Sequence, residues 1–173
     1  CFEMMVDDGN NEVFGSRGDD VIYNGFGNDL ISGGAGWDTV IFYNEISVDL
    51  DLSWSNRRSY QDTGSGIDRI ISIEQFETGV LSDRIFGGKG DEYFLTSDGN
   101  DELDGRRGDD RLNAGLGDDL INGGGGIDTA EYSSGRNITV DLMAKGSQST
   151  GEGNDELVSI ENLVTFGGSD SLK

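Results

Sequence analysis

Carboxylates are the residues here whose spacing could do chemistry, because they return at a fixed interval with a glycine two positions ahead. In blocks of nine from Gly15 the chain reads GSRGDDVIY (15–23), NGFGNDLIS (24–32) and GGAGWDTVI (33–41). A second run reads GGKGDEYFL (87–95), TSDGNDELD (96–104), GRRGDDRLN (105–113), AGLGDDLIN (114–122) and GGGGIDTAE (123–131). The sixth position is always acidic: Asp20, Asp29, Asp38, Glu92, Asp101, Asp110, Asp119 and Asp128. The fourth is always glycine: Gly18, Gly27, Gly36, Gly90, Gly99, Gly108, Gly117 and Gly126. A carboxylate beside glycine-rich backbone offers two kinds of hard oxygen, from side chain and carbonyl. That mixture suits calcium, which takes about six to eight oxygens, better than magnesium, which demands a small regular octahedron and keeps several waters. Paired acids such as Asp109 and Asp110 could also suggest glycoside hydrolysis, but the repeat already accounts for such pairs.

Elements that could position these oxygens follow from the other columns. The eighth position is apolar in every block: Ile22, Ile31, Val40, Phe94, Leu103, Leu112, Ile121 and Ala130. Positions seven to nine therefore read as a short strand whose middle residue points inward. The glycine-rich first half reads as a turn, where glycine permits positive φ and close approach of carbonyls to an ion. Stacked coils would bury the eighth-position residues as one seam. Degenerate repeats flank the runs: Gly9 and Val13 keep the pattern with Asn11 at position six, and Asp83 with Ile85 leads into the second run. Asp170, Ser171 and Leu172 repeat that entry, so the chain reads as a fragment that stops where another array would begin.

A larger duplication encloses the arrays. Val48-Asp49-Leu50, GSGIDRIISIE (64–74) and Asp83 are matched by Val140-Asp141-Leu142, GEGNDELVSIE (151–161) and Asp170. Alternating stretches such as ISVDLDL predict strands with one buried face. The expected organisation is a first array over 1–41, a β insert or cap over 42–77, a second array over 78–131, a second insert over 132–164 and a truncated array over 165–173. Asp68 and Asp155 sit in single Gly-x-Gly-x-Asp turns and read as further calcium ligands, as do Asp83 and Asp170 at the array entries, whereas Glu74 and Glu161 read as solvated. Arg57-Arg58 and Arg106-Arg107 read as surface or ion-paired cations, and Trp37 and Trp54 as core or cap packing.

Composition sets the bounds. The 173 residues carry 34 acidic and 12 basic side chains, a formal charge of -22, with 29 glycines and only 34% hydrophobic residues. Such a balance suits either disorder or a fold that needs cations to neutralise it, and three locked columns at one period favour the second. It disfavours nucleic acid and anionic membranes as partners, and no stretch is long and apolar enough to span a bilayer. Histidine is absent and Cys1 is the lone cysteine. Within this segment that removes Ser-His-Asp triads, zinc-protease motifs, disulfide frameworks and cysteine zinc sites. The segment is expected to have no catalytic machinery of its own.

The blocks resemble the GGxGxDxUx nonapeptide of RTX (repeats in toxin) proteins, the hemolysin-type calcium-binding repeat. The inserts resemble the segments beside such repeats in the C-terminal region of serralysin-like secreted proteins. The resemblance implies an all-β fold, a right-handed parallel β-roll interrupted by antiparallel capping inserts. It implies several calcium ions, each held between turns one coil apart, with pairs Asp20/Asp38, Glu92/Asp110, Asp101/Asp119 and Asp110/Asp128. It also implies type I secretion and folding outside the cell. Two uses follow: a structural or adhesive module of a large secreted or surface protein, with self-association or receptor contacts made through that parent; or the calcium-dependent C-terminal tail of a secreted protease, lipase, epimerase or cytolysin.

Overall fold

The computed structural model describes residues 2–42, 45–52 and 60–173. Its described strands are two to five residues long, and none of its described residues lies in an α-helix. This is the outcome expected of a chain in which a glycine-rich turn interrupts every apolar-centred triplet, leaving no run long enough for helical hydrogen bonding. Glycines at position four take φ between +125° and +153° at Gly27, Gly36, Gly99, Gly108, Gly117 and Gly126, a region closed to ordinary side chains. A Cβ on Gly117 would in addition be driven into the carbonyl oxygen of Gly99 one coil below.

Successive strands fall alternately on two walls, so two repeats complete one coil and wall neighbours are 18 residues apart. One wall is a continuous parallel sheet of eight strands: β1 (Glu3–Met5), β3 (Val21–Tyr23), β5 (Thr39–Ile41), β9 (Gln75–Glu77), β11 (Tyr93–Leu95), β13 (Arg111–Asn113), β15 (Thr129–Tyr132) and β19 (Asn162–Thr165). The other wall is split. Its first part holds β2 (Glu12–Phe14), β4 (Leu30–Ser32), β8 (Ile67–Ile71) and β7 (Gln61–Asp62). Its second holds β6 (Asp49–Asp51), β10 (Arg84–Phe86), β12 (Glu102–Asp104), β14 (Leu120–Asn122), β18 (Asn154–Val158) and β17 (Gln148–Ser149). A further pair, β16 (Thr139–Val140) with β20 (Ser171–Leu172), repeats the way β6 meets β10. The fold is thus an all-β parallel roll, and its antiparallel pairs among named strands are the hairpins β7–β8 and β17–β18 inside the two inserts.

Each insert ends only one of the two walls. Its first strand, β6 or β16, starts a new second wall, and its hairpin closes the old one. A three-residue turn, Ser72-Ile73-Glu74 or Ser159-Ile160-Glu161, then returns the chain to the continuous sheet, where Thr39 pairs with Gln75 and Thr129 with Asn162. Gln61 clasps one splice by accepting the Asp51 amide at 2.8 Å, and Gln148 does the same for Asp141 at 2.8 Å.

The interior is the seam of eighth-position residues. Ile22, Ile31, Val40, Phe94, Leu103, Leu112 and Ala130 are fully buried, and Ile121 is 1% exposed. The inserts add Phe42, Val48, Leu50, Ile70, Phe76, Ile138 and Val140, and Phe76 meets Phe94 edge-on at 6.0 Å. Each buried Ile, Leu or Phe contributes about 1.5–3 kcal/mol, which is modest for a narrow core lined by so many acids. Trp37, expected in core or cap packing, is 43% exposed, and its indole N–H donates to Gln75 Oε1. Position five points outward from the turn, as it does at Ile127, the matching residue of the second array, which is 60% exposed. Arg106 forms the expected ion pair, two-pronged to Asp51. Cys1, Tyr43, Trp54, Arg57 and Arg58 lie outside the described residues.

Candidate metal sites

The sixth-position acids form ladders along the two edges of the roll. Each turn leads into its strand with the backbone N–H of residue six pointing along the stack. The carboxylate one coil further accepts that proton through one oxygen: Asp20 donates to Asp38 Oδ1 at 2.9 Å, Glu92 to Asp110 at 2.8 Å, Asp101 to Asp119 at 2.9 Å and Asp110 to Asp128 at 2.8 Å. All four pairs expected from the sequence are therefore adjacent rungs. Other rungs are Asp29 to Asp68 at 2.8 Å, Asp83 to Asp101 at 2.8 Å and Asp119 to Asp155 at 3.3 Å. Asp170 accepts the Ile138 amide at 2.9 Å in the same manner.

The second carboxylate oxygen divides the acids into two groups. In Asp29, Asp38, Asp101, Asp110 and Asp128 it is buried and has no hydrogen-bond partner. A solitary buried anionic oxygen is costly unless something cationic meets it. In Asp38, Asp110 and Asp128 it lies beside the first glycine of its own turn, and the cradle there is shared with the carbonyl of the turn one coil on; Asn24 and Thr96 hold that first position in the turns of Asp29 and Asp101. A Cβ at Gly105 would be pressed against Asp110 Oδ2 and the Gly123 carbonyl oxygen. The residues thus fit a calcium ion, which accepts such a mixture of carboxylate and carbonyl oxygens. Among the described residues no three acidic, histidine or cysteine side chains gather into a metal cage, so these cradles draw on backbone oxygen as well as carboxylate.

In Asp68, Asp83, Asp155 and Asp170 the second oxygen is occupied by a hydroxyl from five residues earlier. Thr63 and Ser65 donate to Asp68 Oδ2, Thr78 to Asp83, Thr150 to Asp155 at 2.6 Å and Thr165 to Asp170 at 2.7 Å. Asn24 and the Tyr132 hydroxyl complete two of these networks, on Asp68 and Asp155. Each threonine stands at position one, where most array turns have glycine. Asn11 reaches a similar end by another route, its amide donating to the carbonyls of Asp7 at 2.7 Å and Gly9 at 3.2 Å.

Three array acids, Asp20, Glu92 and Asp119, belong to neither group, and backbone amides of their own turns meet the first two. Glu92, one methylene longer, folds back so that Oε2 accepts the Gly88 amide at 3.1 Å. Asp20 Oδ2 accepts the Ser16 amide at 2.5 Å, which holds its carboxyl below the usual range. Burial pushes Glu92 and Asp101 up to about 6, Asp110 up to about 7 and Asp119 up to about 8. Desolvation is the main cause in all four, and neighbouring carboxylates add to it at Asp101, Asp110 and Asp119.

A second, outer ladder lies beyond the three columns that the sequence brings forward. At position five, Asp or Asn accepts the amide one coil away: Asp19 from Trp37 at 2.9 Å, Asp91 from Asp109 at 2.8 Å and Asp109 from Ile127 at 2.8 Å. Its signal in the sequence is the recurrence of Asp or Asn at that position, interrupted by Trp37 and Ile127 in the last turn before each insert.

The model of the RTX calcium-binding nonapeptide repeat matches the chain in four copies, over residues 5–40, 82–102 and 95–130. No curated protein matches it.

Proposed function

Given that the chain carries RTX calcium-binding nonapeptide repeats and is therefore a calcium-binding β-roll module, we propose that it folds on binding calcium outside the cell and serves as a structural or adhesive segment of a larger secreted or surface protein. The observation that carries this reading is the set of five buried, unpartnered carboxylate oxygens on Asp29, Asp38, Asp101, Asp110 and Asp128. Calcium supplies the positive charge that these oxygens lack and joins one turn to the next. Asp110 and Asp128 hold such an ion with the carbonyls of their glycine-rich turns; Asp101 with Asp119, Glu92 with Asp110 and Asp20 with Asp38 do so in the same register. Asp68, Asp83, Asp155 and Asp170, whose second oxygens accept hydroxyls, depend less on an ion to hold their turns.

Without the cation, rungs of like charge face one another in a chain whose formal charge is -22. Two unit charges 4 Å apart repel by about 4 kcal/mol at an effective dielectric near 20, so a few rungs offset a typical total stability of about 5–15 kcal/mol. Binding and folding then become one event. Extracellular calcium modules work at about 10⁻⁴–10⁻³ M, a level the outside of a cell supplies. A structural role is favoured by the eight-stranded wall that continues through both arrays, and by β16 and β20, which begin the pattern again.

Far-UV circular dichroism during a calcium titration tests the reading, with magnesium as control. A reversible, cooperative gain of β signal with calcium alone is expected. A spectrum already folded in chelator overturns it.

A further inference from the structure

The three-residue turn that closes each insert stands where a six-residue calcium turn would otherwise be. In an array, residues at positions one to six connect a strand of one wall to the next strand of the other. At the splice only Ser72-Ile73-Glu74 connects β8 to β9, and only Ser159-Ile160-Glu161 connects β18 to β19. Three residues are missing, yet both ends of the turn remain in register. The Ser72 carbonyl stands over the cradle of Gly33 as the Gly33 carbonyl stands over that of Gly15, and the Ser159 carbonyl stands likewise over Gly123. Both serines reach this pose with positive φ, 50° and 51°, a conformation that costs a non-glycine residue energy. Ile73 and Ile160, between serine and glutamate, are turned into the core.

The glutamates take the place of the missing position-six aspartates. Glu74 Oε2 accepts the Asp38 amide at 3.0 Å and Glu161 Oε2 accepts the Asp128 amide at 2.8 Å. These are the same bonds that Asp38 and Asp128 make to the turns before them. The extra methylene lets the carboxylate reach the rung from a shortened backbone. Each glutamate thus has a structural partner beyond solvent, Glu74 from a half-buried position and Glu161 from an exposed one. Facing each is a fully buried aspartate, Asp38 or Asp128, whose Oδ2 has no partner. That oxygen and the serine carbonyl lie on the same cradle, close enough for one ion with bonds of about 2.3–2.6 Å to reach both.

We propose that each insert completes a calcium site at the end of its array, formed by Asp38, the Ser72 carbonyl and Glu74 at the first splice and by Asp128, the Ser159 carbonyl and Glu161 at the second. This rests on the calcium reading of the array turns and extends it to turns that lack the nonapeptide. The sites tie the continuous wall to the strand at which the second wall is exchanged, so the ion holds the two arrays in line.

Native mass spectrometry in saturating calcium counts the ions. Glu161→Gln keeps the length and the acceptor for the Asp128 amide and removes the charge. It is expected to lose one ion, Glu74→Gln one, and the double variant two, each with wild-type circular dichroism. Asp110→Asn, inside an array, is the reference. If Asp110→Asn also keeps every ion, the calcium reading of the turns fails as a whole. If it loses one or both of the ions it shares with Glu92 and Asp128 and the glutamate variants lose none, only the insert sites are overturned. Should a glutamate variant fail to fold, anomalous diffraction from calcium-loaded wild-type crystals decides. A peak between Asp128 Oδ2 and the Glu161 carboxylate supports the site, and its absence beside peaks within the arrays overturns it.

Discussion

Acid should partly replace calcium. A carboxyl whose folded-state pKa is raised prefers its proton in the folded chain. The resulting penalty is absent below about pH 4, where the unfolded group is also protonated, and is complete once the pH has passed the folded value. Those values are about 6 for Glu92 and Asp101, about 7 for Asp110 and about 8 for Asp119. Each tenfold rise in proton affinity on folding corresponds to about 1.4 kcal/mol, so Asp110 alone costs about 4 kcal/mol at pH 8. Glu92, Asp101 and Asp119 act in the same direction, so the combined penalty is large beside a typical domain stability of about 5–15 kcal/mol. The experiment strips the metal by dialysis and lowers the pH from 8 to 5, stopping above the isoelectric point of about 4.1. The β signal in far-UV circular dichroism is expected to rise as the pH falls from about 8 towards 5, and to vanish again on return. An unchanged spectrum across that range, or full β signal already at pH 8, would refute the assignment of the instability to buried carboxylates.

Other perturbations separate ion-dependent from ion-independent parts. Thr150→Val removes the hydroxyl that satisfies Asp155 and should lower stability in saturating calcium by about 1–3 kcal/mol, read by thermal unfolding, with the ion count by mass spectrometry unchanged. Leu112→Ala opens a cavity at a fully buried position in the seam and should cost about 2–5 kcal/mol in denaturant unfolding. Gly117→Ala, at φ +153° and against the Gly99 carbonyl, should prevent folding at any calcium concentration, seen as a flat circular-dichroism titration.

The period of nine makes the walls, the buried seam and the sixth-position ladders legible, because each depends on a residue type repeated at fixed spacing. The fate of the second carboxylate oxygen is not legible that way. Asp68 and Asp110 look alike in sequence, and what distinguishes their oxygens is a hydroxyl at position one, as in Thr63, against the hydrogen of Gly105. Thr96 shows why the residue type alone is insufficient, since its hydroxyl turns to the Ala114 carbonyl at 2.9 Å and burial still pushes Asp101 up to about 6. Glu74 and Glu161 look solvated in sequence because their turn is three residues short, which breaks the period that identifies the other acids. Trp37 looks buried on hydrophobicity alone, although its position-five register points it outward.

Hydrogen exchange resolved to single amides, with and without calcium, tests most directly whether ion binding and folding are one event. The amides of Asp20, Glu92, Asp101 and Asp110, each bonded to the carboxylate of the following rung, are expected to exchange freely at pH 8 without calcium and to become protected together when it is added. Equal protection of these amides in both conditions would contradict the account.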